Sequence, residues 1–306
     1  VPAMSQESVK KSLDEGEIVR THVMRPTWHF VSSKDAAWML DLTAPHIKAS
    51  LKSRHKELEL TPSILKKSLK TLEKELKGAN HLTRDELVKR LEKNKIATRD
   101  QRAAHILLWA ELEKLICSGA LRDNKNTYAL FDERVKQRTE LTRDEGLMNL
   151  ALRYFQSHGP ATLQDFINWS SLPRADARKA LEFIRDDFSS EEIDSQTYWF
   201  KENGLTSDPD RDGVFLLPAF DEFIIGYKDR SACLAAKHKA NVISINGIFW
   251  PVIVINGLVM GLWKRTLSKN KIIVELKFFP GMAKVKSNEV KTQLADATER
   301  VKAFFS

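Results

Sequence analysis

The sequence predicts an α+β fold: tandem winged-helix units, each a helix-turn-helix plus wing, followed by an antiparallel β meander with a C-terminal helix. Three observations carry this expectation. Between residues 144 and 188 three helical patterns follow one another and lead into EIDSQTYWFK (192–201), read as a strand of a wing. The tetrad Thr-Arg-Asp followed by Glu or Gln recurs at Thr83, Thr98 and Thr142, each fitting a capping box that opens a helix. From Val214 onward the apolar spacing changes to runs flanking Asn246-Gly247 and Asn256-Gly257, the strongest short hairpin signal.

Residues 5–16 read as a helix, and 18–31 as two strands turning near Met24-Arg25-Pro26. This is the tail of a winged-helix unit, so the chain is expected to begin partway through a domain. Residues 34–55, with Ala37, Trp38, Leu40 and Leu42, continue as helix into a basic segment. Leu87, Val88 and Leu91 give the apolar side of one helix. Ala104, Leu108, Leu112 and Leu115 give that of the next, which Gly119 is expected to close. Residues 120–131 follow as two short strands around an Asp-Asn-Lys-Asn turn, a second wing. Leu147, Leu150, Ala151, Tyr154 and Phe155 share one face of a helix that His158-Gly159-Pro160 stops. Ser171-Leu172-Pro173 starts the candidate reading helix, because proline is tolerated in a first helical turn. In it Ala177, Leu181 and Ile184 fall on one side, while Arg174, Arg178 and Arg185 gather within about 40° on another.

The runs VISI, IFWPVIVI, LVMGLW and, after a Ser268-Lys269-Asn270 turn, KIIVELKFF make the meander, with Pro251 marking a bulge or edge position. A last helix, 285–305, presents Val290, Leu294, Val301 and Phe304 to that sheet. The predicted domains are 1–55, the remainder of an N-terminal winged-helix unit with a linking helix; 56–140 and 141–212, two further units; and 213–306, a C-terminal α+β module.

Composition narrows the partners. Of 306 residues 42% are hydrophobic, yet no apolar run is long enough to span a bilayer and no leader pattern opens the chain, so a cytoplasmic protein with no membrane partner is expected. Cys117 and Cys233 each sit alone among apolar residues and share no metal-like spacing with a histidine, which points to thiols in a reducing compartment and to no metal. The net charge of +8 is unevenly spread: residues 51–100 hold fourteen Lys/Arg against eight Asp/Glu, and 181–212 hold three against ten. The basic part would attract phosphate, so duplex DNA is the expected partner. The acidic wing with Asp186, Asp187, Glu191, Glu192 and Asp194 opposes docking by its own unit.

Three blocks then acquire a shared meaning: IVRTHVMRPTWHF (18–30), LLPAFDEFIIGYKDR (216–230) and NGIFWPVIVINGLVMGLWKR (246–265). In this order the chain resembles winged-helix proteins of the AlkZ-like DNA glycosylase superfamily over nearly its whole length. The resemblance implies three tandem winged-helix units and a β module around a concave basic surface, excision of bulky or crosslinking alkylpurines from DNA, and no metal or organic cofactor. The signature of that superfamily, Gln-any-Gln or Gln-any-Asp, lies upstream of the segment matching 18–31. No glutamine of this chain has Gln or Asp two residues later.

An N7- or N3-alkylated purine is already cationic, so its departure needs placed water and negative potential near the anomeric carbon more than a strong general acid. The candidates for that chemistry are His29, Asp221, Glu222 and Asp229, and those for nucleic-acid contact are Arg25, Thr27, Trp28, Arg174, Arg178, Arg185, Lys264 and Arg265. Each has a plainer reading: the carboxylates as partners of Lys228 and Arg230, His29 as a hydrogen-bonded strand residue, Trp28 as core. Two function classes stay open, a base-excision enzyme and a non-catalytic DNA-binding regulator or protein-interaction platform.

Overall fold

The computed structural model describes residues 5–25, 27–202, 213–268, 271–281 and 287–305. Pro26, Lys269 and Asn270 of the two expected turns, and positions 285–286 of the expected last helix, lie outside the described residues. The chain divides into two compact units, the first Glu7–Ala151 with Ser170–Phe183, the second mainly Leu152–Trp169 with Ile184–Ser306. Residues 141–212 are therefore shared between both.

The chain opens with α1 (Gln6–Glu15) and a hairpin of β1 (Ile18–Val23) and β2 (Thr27–Ser32). Then come α2 (Ser33–Ser50), which buries Ala37, Trp38, Leu40 and Leu42, α3 (Lys52–Glu57) and α4 (Pro62–Leu76). Thr61 caps α4 by accepting from the Ile64 N–H, with Pro62 in the first turn. Next are β3 (Leu82–Thr83), α5 (Arg84–Lys93), α6 (Arg102–Leu112), β4 (Ile116–Ser118), β5 (Thr127–Leu130), α7 (Phe131–Arg134) and α8 (Arg143–His158). Strands β3, β5 and β4 form a small antiparallel sheet in that order. Leu65, Leu72 and Leu76 of α4, Leu87 and Leu91 of α5, and Ile106 and Leu107 of α6 close over it as one core. Each such buried side chain contributes about 1.5–3 kcal/mol.

Two of the three expected capping boxes form. Thr83 with Glu86 opens α5, and Thr142 with Glu145 opens α8. The third does not: the Thr98 hydroxyl donates to Glu92 (2.5 Å), Asp100 and Gln101 take left-handed φ, and α6 starts only at Arg102. The buried face of α6 differs in part from the expected one. Leu112 is buried and Leu115 packs against the core as expected, but Ala103, Ile106, Leu107 and Ala110 are buried too while Ala104 is exposed, because the helix is apolar nearly all round and its periodicity has no clear phase. Gly119 does not end that helix, which stops at Leu112. It follows β4 and admits the close approach of the Thr127 hydroxyl. The hairpin begins earlier than read, at Ile116, and turns at Asp123-Asn124, both left-handed.

Beyond α8 come β6 (Ala161–Thr162), α9 (Leu163–Ser170) and α10 (Arg174–Glu182), the last starting after Pro173 and burying Ala177, Ala180 and Leu181. Arg185 leaves the expected arginine face, since α10 has ended and Arg185 opens a separate 3-10 turn, 3.8 Å from Asp186. Residues 189–200 are a complete hairpin rather than one strand: β7 (Ser189–Ile193) and β8 (Gln196–Phe200) join through left-handed Asp194-Ser195.

The remainder is β9 (Val214–Leu217), α11 (Glu222–Ile225), α12 (Lys239–Val242), β10 (Val252–Ile255), β11 (Leu258–Ser268), β12 (Lys271–Phe278) and α13 (Asn288–Phe305). The sheet order is β12-β11-β10-β9, antiparallel throughout. Asn256-Gly257, both at positive φ, make the expected hairpin turn. Asn246-Gly247 does not join two strands. VISI enters from α12, and only Ile243 bridges, to Phe249. Pro251 precedes an inner strand instead of lying on an edge, and the bulge falls at Ile253/Val254. Helix α13 lays Val290, Leu294 and Val301 on Val214, Ile253, Ile255 and Trp263, as its spacing predicts, and adds Ala297, whereas the expected Phe304 is not part of that cluster. No helix among the described residues is long and apolar enough to cross a membrane.

Candidate nucleic-acid interface

The hairpin of β1 and β2 builds its surface from strand alternation. Val19, Thr21 and Val23 are buried on one face. Cross-strand pairing sets Arg20 opposite Phe30 and His22 opposite Trp28, so these four share the other face. Trp28 is 50% and Phe30 57% exposed, which makes Trp28 a surface ring and not a core filler. The Arg20 guanidinium lies 4.4 Å over the Trp28 ring, and the His22 ring is 5.1 Å from it. Both side chains lean on an aromatic ring that remains half open, the arrangement that lets an unpaired base stack.

A buried carboxylate fixes this face. Glu111, on α6 and 1% exposed, accepts from the His22 backbone N–H at 2.8 Å and from its Nδ1 at 2.5 Å. The Arg20 N–H donates to the Ser118 hydroxyl on β4 at 2.8 Å. Neither Glu111 nor His22 is marked by a motif in the sequence. The available signal was a lone carboxylate at the end of an apolar helix, where burial without a partner would be expensive.

His29 sits on the opposite side of the ladder from Trp28, paired with Thr21. Its Nδ1 donates to the Thr27 carbonyl at 2.9 Å, which assigns the neutral tautomer, and the Arg25 guanidinium meets Nε2 at 3.2 Å. Arg25, Thr27 and His29 thus brace the turn, with Met24 and Arg25 left-handed. On α10, Asp176 pairs with Arg143 (2.7 Å) and Lys179 with Asp144 (2.6 Å), both on α8. Arg174 and Arg178 are exposed and have no ion-pair partner among the described residues.

The second unit holds the three carboxylate candidates within one segment. Asp221 caps α11, accepting from Phe223 N–H at 2.9 Å, and burial pushes its carboxyl above the ordinary value. Asp229 closes a turn on Ser231 N–H at 2.9 Å, and that bond holds its carboxyl below the ordinary value. Glu222 accepts from Trp169 Nε1 at 2.9 Å and lies 3.5 Å from His158 Nε2. Arg230, an expected partner of these carboxylates, donates to the carbonyls of Ile224 and Lys228.

The segment is held down by residues the sequence reading did not single out. Asp165, 4% exposed, accepts from the Thr162 N–H and hydroxyl and also from the Lys228 N–H at 2.8 Å. Thr162-Asp165 is a capping box written with Asp, which a search for Glu or Gln passes over. Tyr154 donates to Gly226 O and Tyr227 to His158 O. Gly226 has no room for a side chain: an added Cβ would meet His158 Cδ2 at 2.7 Å.

Lys264 pairs across the ladder with Glu275 at 3.0 Å, and the Arg265 guanidinium packs 3.6 Å over the Phe305 ring. Both lie on the outer half of β11, where every described residue from Lys264 on is exposed, Leu267 by 71%. Among the described residues no group of three or more His, Cys, Asp or Glu could hold a metal ion.

The profile of the family described as DNA glycosylase AlkZ-like matches residues 1–304. A relative from Streptomyces sahachiroi, an interstrand DNA cross-link repair glycosylase, is 27% identical over 279 residues, 86% of this chain and 74% of its own length. The solved structure of Streptomyces sahachiroi DNA glycosylase AlkZ superposes with a TM-score of 0.79 at 23% identity, over 98% of this chain and 83% of that one, a likeness of fold.

Proposed function

Because this chain belongs to the AlkZ-like DNA glycosylase family, we propose that it grips duplex DNA and cleaves the N-glycosidic bond of alkylated or crosslinked purines in DNA repair. In this reading 1–55 is the remainder of an N-terminal winged-helix unit with a linking helix, 56–140 and 141–212 are two further winged-helix units, and 213–306 is a C-terminal α+β module. The observation that supports it best is the Trp28 ring, half exposed, covered on one side by Arg20 and anchored through His22 to Glu111. A flipped nucleotide needs a stacking surface to offset its lost pairing, and an exposed rigid indole supplies one. Arg174 and Arg178 contact phosphates. Lys264 and Arg265 add charge along the outer half of β11.

Excision of a cationic purine leaves an oxocarbenium-like sugar, stabilised by a carboxylate and captured by water. Of the four ionisable candidates Glu222 fits that task best. Its carboxylate is 47% exposed and oriented by Trp169 and His158, whereas Asp221 and Asp229 are committed to backbone N–H groups and the His29 lone pair to Arg25. These commitments favour the second reading, a non-catalytic DNA-binding protein.

Release of 7-methylguanine from a defined duplex under single-turnover conditions separates the two. Base excision predicts release well above spontaneous depurination and a loss of at least tenfold in Glu222→Gln. Release at the spontaneous rate, with DNA bound, leaves the binding reading.

A further inference from the structure

The first unit also contains a groove of about 990 Å³ to which the proposed reaction assigns no role. Its walls are α2, α3, the 58–61 turn and α4, with Trp109 of α6. Leu60, Leu65, Leu69 and Trp109 line it with apolar surface. Lys48, Lys52 and Lys56 recur at four-residue spacing along α2 and α3, and Lys66 faces in from α4, against one carboxylate, Glu59. Lys48 is engaged, 3.0 Å from Glu113 and 5.4 Å over the Trp109 ring. Lys52, Lys56 and Lys66 are exposed and have no ion-pair partner among the described residues.

His55 also lines this groove and is 7% exposed. Its Nε2 is buried and has no hydrogen-bond partner among the described residues, while its ring packs against His105 (5.3 Å) and Trp109 (5.4 Å). A buried ring nitrogen left unbonded is costly unless something else meets it. Burial, with His105 beside it, lowers the affinity of His55 for a proton, so it offers a neutral polar edge rather than a charge.

We propose that this groove binds a small amphipathic anion: an apolar or aromatic body lying on Leu60, Leu65 and Trp109, ending in one carboxylate, sulfonate or phosphate group held by Lys52, Lys56 and Lys66. The volume matches that of small-molecule sites, which are apolar with a few polar groups fixing orientation. Three lysines outside any ion pair among the described residues, Lys52, Lys56 and Lys66, against one lining carboxylate, Glu59, select an anion. The apolar lining of Leu60, Leu65, Leu69 and Trp109 argues against a phosphodiester backbone, which would use the lysines and leave that lining idle.

Isothermal titration of the full chain with decanoate below its micelle concentration tests this, with decanol as the uncharged probe. Decanoate should bind saturably at one site, tenfold or more tighter than decanol, as expected where charge-assisted hydrogen bonds hold a head group. Lys52→Gln with Lys56→Gln should erase that preference. Ala49→Trp, at an exposed helical position on the groove, should abolish binding of both probes with the thermal transition unchanged. The proposal is overturned if decanoate does not saturate, if decanol binds equally, or if Ala49→Trp binds like the parent. It is also overturned if a short duplex displaces decanoate, which would assign the lysines to DNA, or if only an acidic amphipathic peptide is captured.

Discussion

Glu111 carries the largest consequence of any single side chain on the hairpin face. It is buried, and one of its oxygens accepts from both the His22 backbone N–H and the His22 Nδ1. Glu111→Leu leaves those donors without their acceptor, so it should lower stability by about 1–3 kcal/mol and loosen Trp28, read by thermal melting and tryptophan emission. Glu86 gives a prediction with a pH sign. The Thr83 N–H, then its hydroxyl, then Arg122 hold the carboxyl at about 2 instead of 4.5. A folded value below the unfolded one means that its contribution is fully present above pH 4.5 and is lost as pH falls toward about 2. Thr83→Ala removes the hydroxyl, so the Glu86 carboxyl should titrate nearer 4.5 in an NMR pH series and the helix cap should lose about 1 kcal/mol. Of these residues Thr83 and Glu86 were legible as a capping box. Glu111 was not, because a carboxylate becomes a buried partner only through a contact with β1, 89 positions away in sequence.

At the scale of elements, legibility followed the strength of local chemistry. Asn256-Gly257 fixes a turn with two residues of positive φ, and the hairpin formed. The same dipeptide at 246–247 had no pair of strands to join, because α12 takes up the residues before it. The phase of α6 was illegible for want of polar residues to mark its outer face. The period of two in β1 and β2 already separates His29 from Trp28, so the two cannot clamp one nucleotide from the same face. For α10 the structure sharpens the expectation to two arginines, since Arg185 has left the helix. Replacing Arg174 and Arg178 with Ala should weaken duplex binding and lower the slope of log affinity against log salt by about two units, one per phosphate contact. An unchanged slope with an intact circular dichroism spectrum would take α10 off the DNA.

Across the whole molecule, the α+β class, the three strands β10 to β12 of the sheet and the C-terminal helix were legible from periodicity and turn residues, and the family from three ordered blocks. What escaped was long-range docking: Asp165 to the 228–229 backbone, Tyr154 to Gly226, Glu111 to β1. Such contacts depend on which residues the fold brings together, and no local spacing encodes them. The central claim is that the face of Arg20, His22, Trp28 and Phe30 receives a base drawn out of the duplex. The direct measurement is equilibrium affinity for a duplex carrying one stable alkylpurine analogue and for the undamaged duplex, with the parent protein and with Trp28→Ala, over a range of salt. Stacking on an aromatic side chain is worth about 1–3 kcal/mol per base. Trp28→Ala should therefore lose roughly 5- to 150-fold on the damaged duplex, little on the undamaged one, and leave the salt slope unchanged. Equal affinity of both proteins for the damaged duplex, or equal losses on the two duplexes, would contradict the account.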